Sequence, residues 1–383
     1  MTARQQPSRF AGSPSSSMYP LALPILSSNS ARPGTKHKQQ ARHGETFFGE
    51  PKIGQIIGLT LPHSRYCGPG THHFQLPSFS FSLNVHFFSL NVCSCLTNQN
   101  DTSYFGPLTG RVAQRMARGR FVLDGKVYHT YINDGKNAIH GGHRGFSKVI
   151  WTVKEYVGGG DSPYITLYYR SFDGEQGFPG DLDVYATYQL SSAYELSIRT
   201  NATALNKATP VNFLQHVYWN LGGEGSGDIL GHTLQLSASR YTPMDEELLP
   251  SSGRVDPVAG TSYDFRTPTP IGARIRKVKG GSVFGYDINY VIDGEGMRKV
   301  AAARDGASGR ALELWANQPA MQLYTGNFLN NTKGKDGKVY DQYGGFALET
   351  QAYPDAVNHP EFPSIIVRPG QVYKHDMLYK FSF

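Results

Sequence analysis

Cysteine is nearly absent from the 383-residue sequence: Cys67, Cys93 and Cys95 are the three, all within the first hundred positions. From residue 101 onward there is none, which excludes a disulfide frame, a thiolate metal site and a cysteine nucleophile from that stretch. Long hydrophobic runs are missing as well. No stretch reaches the ~18 apolar residues a membrane helix needs, and the nearest, Phe74 to Leu96, is broken by Pro77, His86, two Asn and several Ser. Charged residues make up only 17% of the chain and are unevenly placed. The first hundred residues hold eight of the 37 Lys/Arg but two of the 30 Asp/Glu, a net of +6, which leaves the remainder at +1. A near-neutral body without a basic stripe argues against nucleic-acid binding. Two further absences narrow the chemistry. No amphipathic stretch exceeds about two helical turns, and no glycine-rich phosphate loop follows a strand-like run.

What is present is glycine (43), proline (23) and aromatic side chains at 12%. That mixture suits many short strands joined by tight turns. Residues 1–100 read differently from the rest. Their first 44 positions contain no acid and are rich in Ser, Pro and Arg, as in a transit peptide, a disordered extension or a mis-joined segment. From Asp101 to Phe383, β-rich runs follow one another, among them Arg120–Leu123, Tyr164–Ser171, Asp183–Leu190, Tyr194–Ala202, Ala311–Ala316, Phe346–Gln351 and Gln371–Phe381. Asp124-Gly125 has the chemistry of a hairpin turn. The expectation is an all-β fold, a large antiparallel β-sandwich formed by residues 101–383 as one domain.

The most informative stretch is Thr209 to Leu221, whose alternation predicts one strand. Val211, Phe213, Val217, Trp219 and Leu221 take one face; Asn212, His216, Tyr218 and Asn220 take the other. A face of His, Tyr and Asn suits a polyhydroxylated ligand, with Tyr supplying a flat apolar surface; it also suits an amphipathic strand with one structural histidine. Four other places concentrate polar side chains. In Gly110-Arg-Val-Ala-Gln-Arg-Met116, Arg111 and Arg115 are four apart and would share one side of a helical turn. In Asn137-Ala-Ile-His-Gly-Gly-His143, the glycines after His140 allow close backbone approach to a ligand, and the His140/His143 spacing lacks the acidic or sulfur partners of a metal site. Asp287 sits at the head of an apolar strand, where a turn-forming Asp is also at home. Glu349 lies inside an apolar run, where a carboxylate is costly to bury unless paired and where burial raises its pKa toward the range of a general base. A histidine and a glutamate of this kind point to acid–base chemistry on a small polar ligand.

Six segments, read together, resemble the aldose 1-epimerase (mutarotase) family, in its plant-type branch. They are Tyr104-Phe-Gly-Pro-Leu-Thr-Gly-Arg-Val-Ala-Gln-Arg115, Asn137-Ala-Ile-His-Gly-Gly142 with Gly145-Phe-Ser-Lys148, Gln215-His-Val-Tyr-Trp-Asn-Leu221, Gly285-Tyr-Asp287, Gln322-Leu-Tyr-Thr-Gly-Asn327 and Leu348-Glu-Thr-Gln-Ala-Tyr-Pro-Asp355. They occur in the family order. The resemblance implies a β-sandwich with the sugar in an open cleft, and a reaction that opens and recloses the ring of a free hexose such as galactose or glucose. It implies that Glu349 accepts the C1 hydroxyl proton and that His216 donates a proton to the ring oxygen, the two flanking one hexose ring from opposite sides. It implies that Gln114, Arg115, His140, Val217, Tyr218, Asp287 and Gln322 line the sugar site. No metal and no organic cofactor are implied, and a monomer is expected.

Departures from the pattern are few. Gln114 and Gln215 each stand where many members have Asn. The opening strands of the family, with their Gly-Ala-rich motif, are not found in residues 1–100, so one edge of the sandwich is expected to be missing. Three alternatives are weaker. A sugar-binding protein without turnover would not need both His216 and Glu349. A hexose 6-phosphate epimerase would need a cluster of Arg at the rim, and only Arg115 is placed. A glycoside hydrolase needs two facing carboxylates, for which Asp287 and Glu349 would leave His216 idle. For compartment, the cytoplasm is the expectation; the acid-free N-terminus fits an organelle, and sequons at Asn100, Asn201 and Asn330 fit secretion.

Overall fold

The computed structural model describes residues 57–58, 82–83, 102–191, 194–334 and 337–383. Ile57–Gly58 and Ser82–Leu83 pair antiparallel. The remainder of the 1–100 extension, and any opening strand within it, lies outside the described residues.

The expected all-β architecture is what forms. Two antiparallel sheets carry the body. The larger has nine strands in the order Thr269–Pro270, Thr233–Leu236, Arg298–Arg304, Ala311–Ala316, Val372–Ser382, Glu195–Ala204, Leu182–Ser191, Tyr164–Ser171 and Thr152–Val157. The smaller has six, in the order Tyr218–Trp219, Phe346–Gln351, Ala320–Tyr324, Asp287–Val291, Arg240–Thr242 and Asp256–Pro257. Helix is confined, among the described residues, to three-residue 3-10 turns. No helix among them is long and apolar enough to cross a membrane.

Period-two alternation places the core. In Val372–Ser382, Met377, Tyr379 and Phe381 are buried on one face while Lys374 and Lys380 stay outside. Those three side chains pack with Leu196, Ile198, Leu234, Val300 and Leu314 of the large sheet against Trp219, Ile288, Tyr290, Met321, Leu323, Phe346 and Leu348 of the small one. This is a sandwich core, two half-apolar faces closed on each other. Phe346–Gln351 is buried at all six positions. Phe346 and Leu348 enter the core, so Ala347, Glu349 and Gln351 lie on the opposite face.

One expectation is corrected here, and one strand was not foreseen. Thr209 to Leu221 is not one strand but three two-residue pieces, Thr209–Pro210, Leu214–Gln215 and Tyr218–Trp219, each paired with a different partner. The alternation survived because each piece keeps its apolar side inward. Arg298–Arg304 is a strand that the sequence hid: its Ala-rich, basic composition reads as weak β, yet it is held from both sides by Thr233–Leu236 and Ala311–Ala316.

His375 lies fully buried between Thr350, whose Oγ1 is 2.8 Å from Nε2, and Tyr373, whose hydroxyl is 3.4 Å from Nδ1. Burial lowers its pKa from 6.5 to about 3. The unfolded chain therefore binds a proton that the folded chain refuses, and stability is lost as pH falls from about 6.5 toward 3. Between pH 7 and 5 this one group should cost about 2 kcal/mol. Urea unfolding at both pH values should show the difference in His375→Gln smaller by about that amount; an unchanged difference refutes the assignment.

Candidate active site

The six-stranded sheet lays out the site in rows. Register pairs Tyr218 with Ala347, Ala347 with Tyr324 and Tyr324 with Asp287. The next row runs Glu349, Gln322, Asn289, Thr242. Residues two apart on a strand share a face, so Tyr218, Tyr324, Asp287, Glu349 and Gln322 all project to the same side of the sheet. His216 enters from the chain just before Tyr218. Its position is fixed by the 104–109 segment: His216 N donates to Pro107 O (3.0 Å), and Gly106 N donates to His216 O (2.8 Å). Gln215 turns away, its amide donating to Gly106 O and its carbonyl accepting from Tyr188.

The opposite wall comes from residues 110–116 and 137–142, and the first of these segments runs extended rather than helical. Ala113 N donates to Asn212 O, and Met116 bridges Ala138. Arg111 and Arg115 consequently separate. Arg111 is buried among the carbonyls of Ser171, Pro179 and Gly180, an anchor remote from the sugar side. Arg115 reaches the site, with Nε 2.7 Å from Asp134 Oδ2 and Nη2 3.7 Å from Asp287 Oδ2. His140 is held at a positive φ of 53° by its N–H to Ala113 O at 2.7 Å. Gly141 behind it is obligatory, since a Cβ there would sit 1.9 Å from Gly110 O.

At the centre, His216 Nε2 and Glu349 Oε1 are 3.1 Å apart, with both side chains buried. The approach is close but undirected: Glu349 Oε1 and His216 Nδ1 have no hydrogen-bond partner within the chain. Burial lowers the His216 pKa from 6.5 to about 4. It raises Glu349 well above the carboxylate range, with Asp287 adding to the rise and Arg115 opposing it. Around the pair, Gln322 donates to Asp287 Oδ1 (2.5 Å) and accepts from Gln114 Nε2 (2.9 Å). Burial raises Asp287 against the pull of Arg115 and of that hydrogen bond. Aromatic rings complete the walls: Tyr104 lies 4.4 Å from the His140 ring, and Tyr218 stacks on His216 at 5.1 Å and 26°.

Eight of the nine residues expected at the site therefore meet there: Gln114, Arg115, His140, His216, Tyr218, Asp287, Gln322 and Glu349. Val217 does not bring its side chain; its place on the apolar face turns it into the sandwich core. Asn212, on the polar face, is spent on both backbone groups of Ala352. His143 is exposed against Tyr131, and no group of three metal-ligating side chains occurs among the described residues. Sequence reasoning missed Tyr324, whose ring is 6.4 Å from His216 and 5.9 Å from Tyr218. Its signal was available, two residues after Gln322 on a strand. Tyr104 was missed as well, because nothing local marks its left-handed backbone (φ 55°).

A buried histidine–glutamate pair walled by hydrogen-bonding and aromatic side chains, on one face of the six-stranded sheet, is an arrangement suited to moving protons on a small polyol. The sequence model of the aldose 1-epimerase family matches residues 89–380, and the chain belongs to that family. It is an isomerase of the epimerase class. It is 45% identical over 281 residues to the galactose mutarotase of Rattus norvegicus, covering 73% of this chain and 79% of that protein. It is 37% identical over 293 residues to the aldose 1-epimerase of Escherichia coli, covering 74% and 81%. Among solved structures, galactose 1-epimerase from Lactobacillus acidophilus superposes with a TM-score of 0.68 at 27% identity, over 81% of this chain and 89% of that one.

Proposed function

We propose that the chain interconverts the α and β anomers of free hexoses such as galactose and glucose, with Glu349 as base and His216 as acid. One observation carries the reading: the 3.1 Å approach of His216 Nε2 to Glu349 Oε1, both side chains buried. In an aldohexose the reacting oxygens, the C1 hydroxyl and the ring oxygen, are bonded to the same carbon. An acceptor for one and a donor to the other must then stand side by side, and this geometry supports that arrangement rather than flanking from opposite sides of the ring.

The pKa directions explain how one pair serves both directions. A buried imidazole and carboxylate in contact share one proton over a wide pH range and titrate as a unit. With the proton on His216, the pair is a donor to the ring oxygen and an acceptor from the C1 hydroxyl. Ring opening moves one proton off the sugar and one onto it, leaving the proton on Glu349. The C1–ring-oxygen bond breaks, the aldehyde rotates about C1–C2, and reclosure from the other face returns both protons. Burial lowers His216 and raises Glu349, which favours the resting proton on Glu349 and makes a proton placed on His216 one it readily gives up to the ring oxygen.

Gln114, Arg115, His140, Tyr218, Asp287 and Gln322 hold the remaining hydroxyls in this reading, with Tyr104 and Tyr324 as flat walls. Arg115 is engaged by Asp134 and Asp287, which disfavours a hexose 6-phosphate. The working unit is taken as a monomer of the 101–383 domain. The test is polarimetry: fresh α-galactose should equilibrate faster with the full-length protein than in buffer, and a trace indistinguishable from buffer sinks the proposal.

A further inference from the structure

The two walls of the cleft are joined by polar ties of two kinds. The inner ties, Gln114 to Gln322 and Arg115 to Asp287, are made by groups that the proposed reading assigns to sugar hydroxyls. A sugar that engages those groups competes with the ties. The outer tie is different. Arg240–Thr242 pairs Thr242 with Asn289, so the chain leaves the sheet beside Asp287 and turns through a compact loop, Pro243 to Ser251. Asp245 fixes the loop internally, accepting from Glu247 N (2.9 Å) and Leu249 N (3.0 Å). Glu247 then reaches across to the other wall. Its carboxylate accepts from Asn137 Nδ2 (3.2 Å), Arg118 Nη1 (3.0 Å) and Lys136 Nζ (3.2 Å). Asn137 is buried, accepts from Arg118 N through Oδ1 (3.0 Å), and opens the Asn137–Gly142 stretch that carries His140.

We infer that Glu247 is a positioning residue, an outer clasp that holds the wall bearing Arg115 and His140 at its distance from Asp287 while sugar replaces the inner ties. The inference rests on the sugar-site reading above. Glu247 touches no residue of the acid–base pair, so its loss weakens hexose binding without disabling proton transfer. Its ion pairs are exposed, so salt screens them over a Debye length of about 10 Å at 0.1 M.

Three readouts on the full chain test this. In Glu247→Gln, the dissociation constant for galactose should rise about three- to tenfold, while kcat changes less than about twofold. Amide exchange at Ala138, His140 and Gly142 should quicken several-fold. In wild type, added salt should move galactose affinity toward the variant's value. The double variant Arg118→Gln/Lys136→Gln should reproduce the effect, and adding Glu247→Gln to it should add little. Unchanged galactose affinity, unchanged amide exchange, or a fall in kcat with affinity intact overturns the inference. Wild type that binds galactose without exchanging its anomers would sink the proposed function alone, since the binding and exchange comparisons still report on the clasp.

Discussion

Glu349→Gln should slow galactose anomer exchange by about three orders of magnitude or more, leaving galactose affinity within about tenfold of wild type. The substitution keeps shape and one acceptor oxygen but removes the basic site. Positioned general acid–base groups contribute about 10²–10⁴-fold each, and here the base is also the reservoir for the proton that His216 delivers. The variant should fold, because the wild-type carboxyl is already buried with its pKa raised, so a neutral amide removes a desolvation cost. Polarimetry with a titration of galactose separates the two quantities. A variant that exchanges anomers at the wild-type rate would remove Glu349 from the role of base.

His216→Gln should lose about as much, and the wild-type pH profile should show why. Below about pH 4 a second proton enters the pair on His216; with Glu349 already protonated no base remains, and activity falls. At high pH the pair loses its single proton at the raised pKa of Glu349; no acid remains, and activity falls again. kcat/KM should therefore follow a bell whose acid limb lies near pH 4, well below the 6.5 of an ordinary histidine. In His216→Gln the limb near pH 4 should vanish, and the residual activity should rise with pH as Glu349, whose pKa stays raised by burial, loses its proton. An acid limb near 6.5 in wild type would mean that His216 titrates as a solvated imidazole and does not work inside the buried pair.

Much of this site is legible in the sequence. Glu349 stood out because a carboxylate inside an apolar strand is costly without a partner, and His216 because a polar, ring-bearing face is a poor choice for solvent. Other features depend on tertiary context. The Arg111/Arg115 spacing is compatible with a helical turn, and only the pairing of Ala113 and Met116 with Asn212 and Ala138 forces that stretch to extend and sends the two guanidiniums apart. Val217 could be placed by its parity alone, which outweighs its position between two site residues. Thr209 to Leu221 kept its alternation while breaking into three pieces, because burial sets side-chain parity and hydrogen-bond partners set strand continuity. Glu247 had no signal in Asp245-Glu246-Glu247, since its partners lie more than a hundred residues away.

The central claim is that one shared proton makes His216 and Glu349 a single catalytic unit. Comparing kcat/KM for Glu349→Gln, His216→Gln and the double variant tests it most directly. A unit predicts three values within about threefold of one another, because either loss already empties the pair of its function. A double variant slower than both by the product of the two separate losses would mean that the two side chains act independently, and would contradict the account.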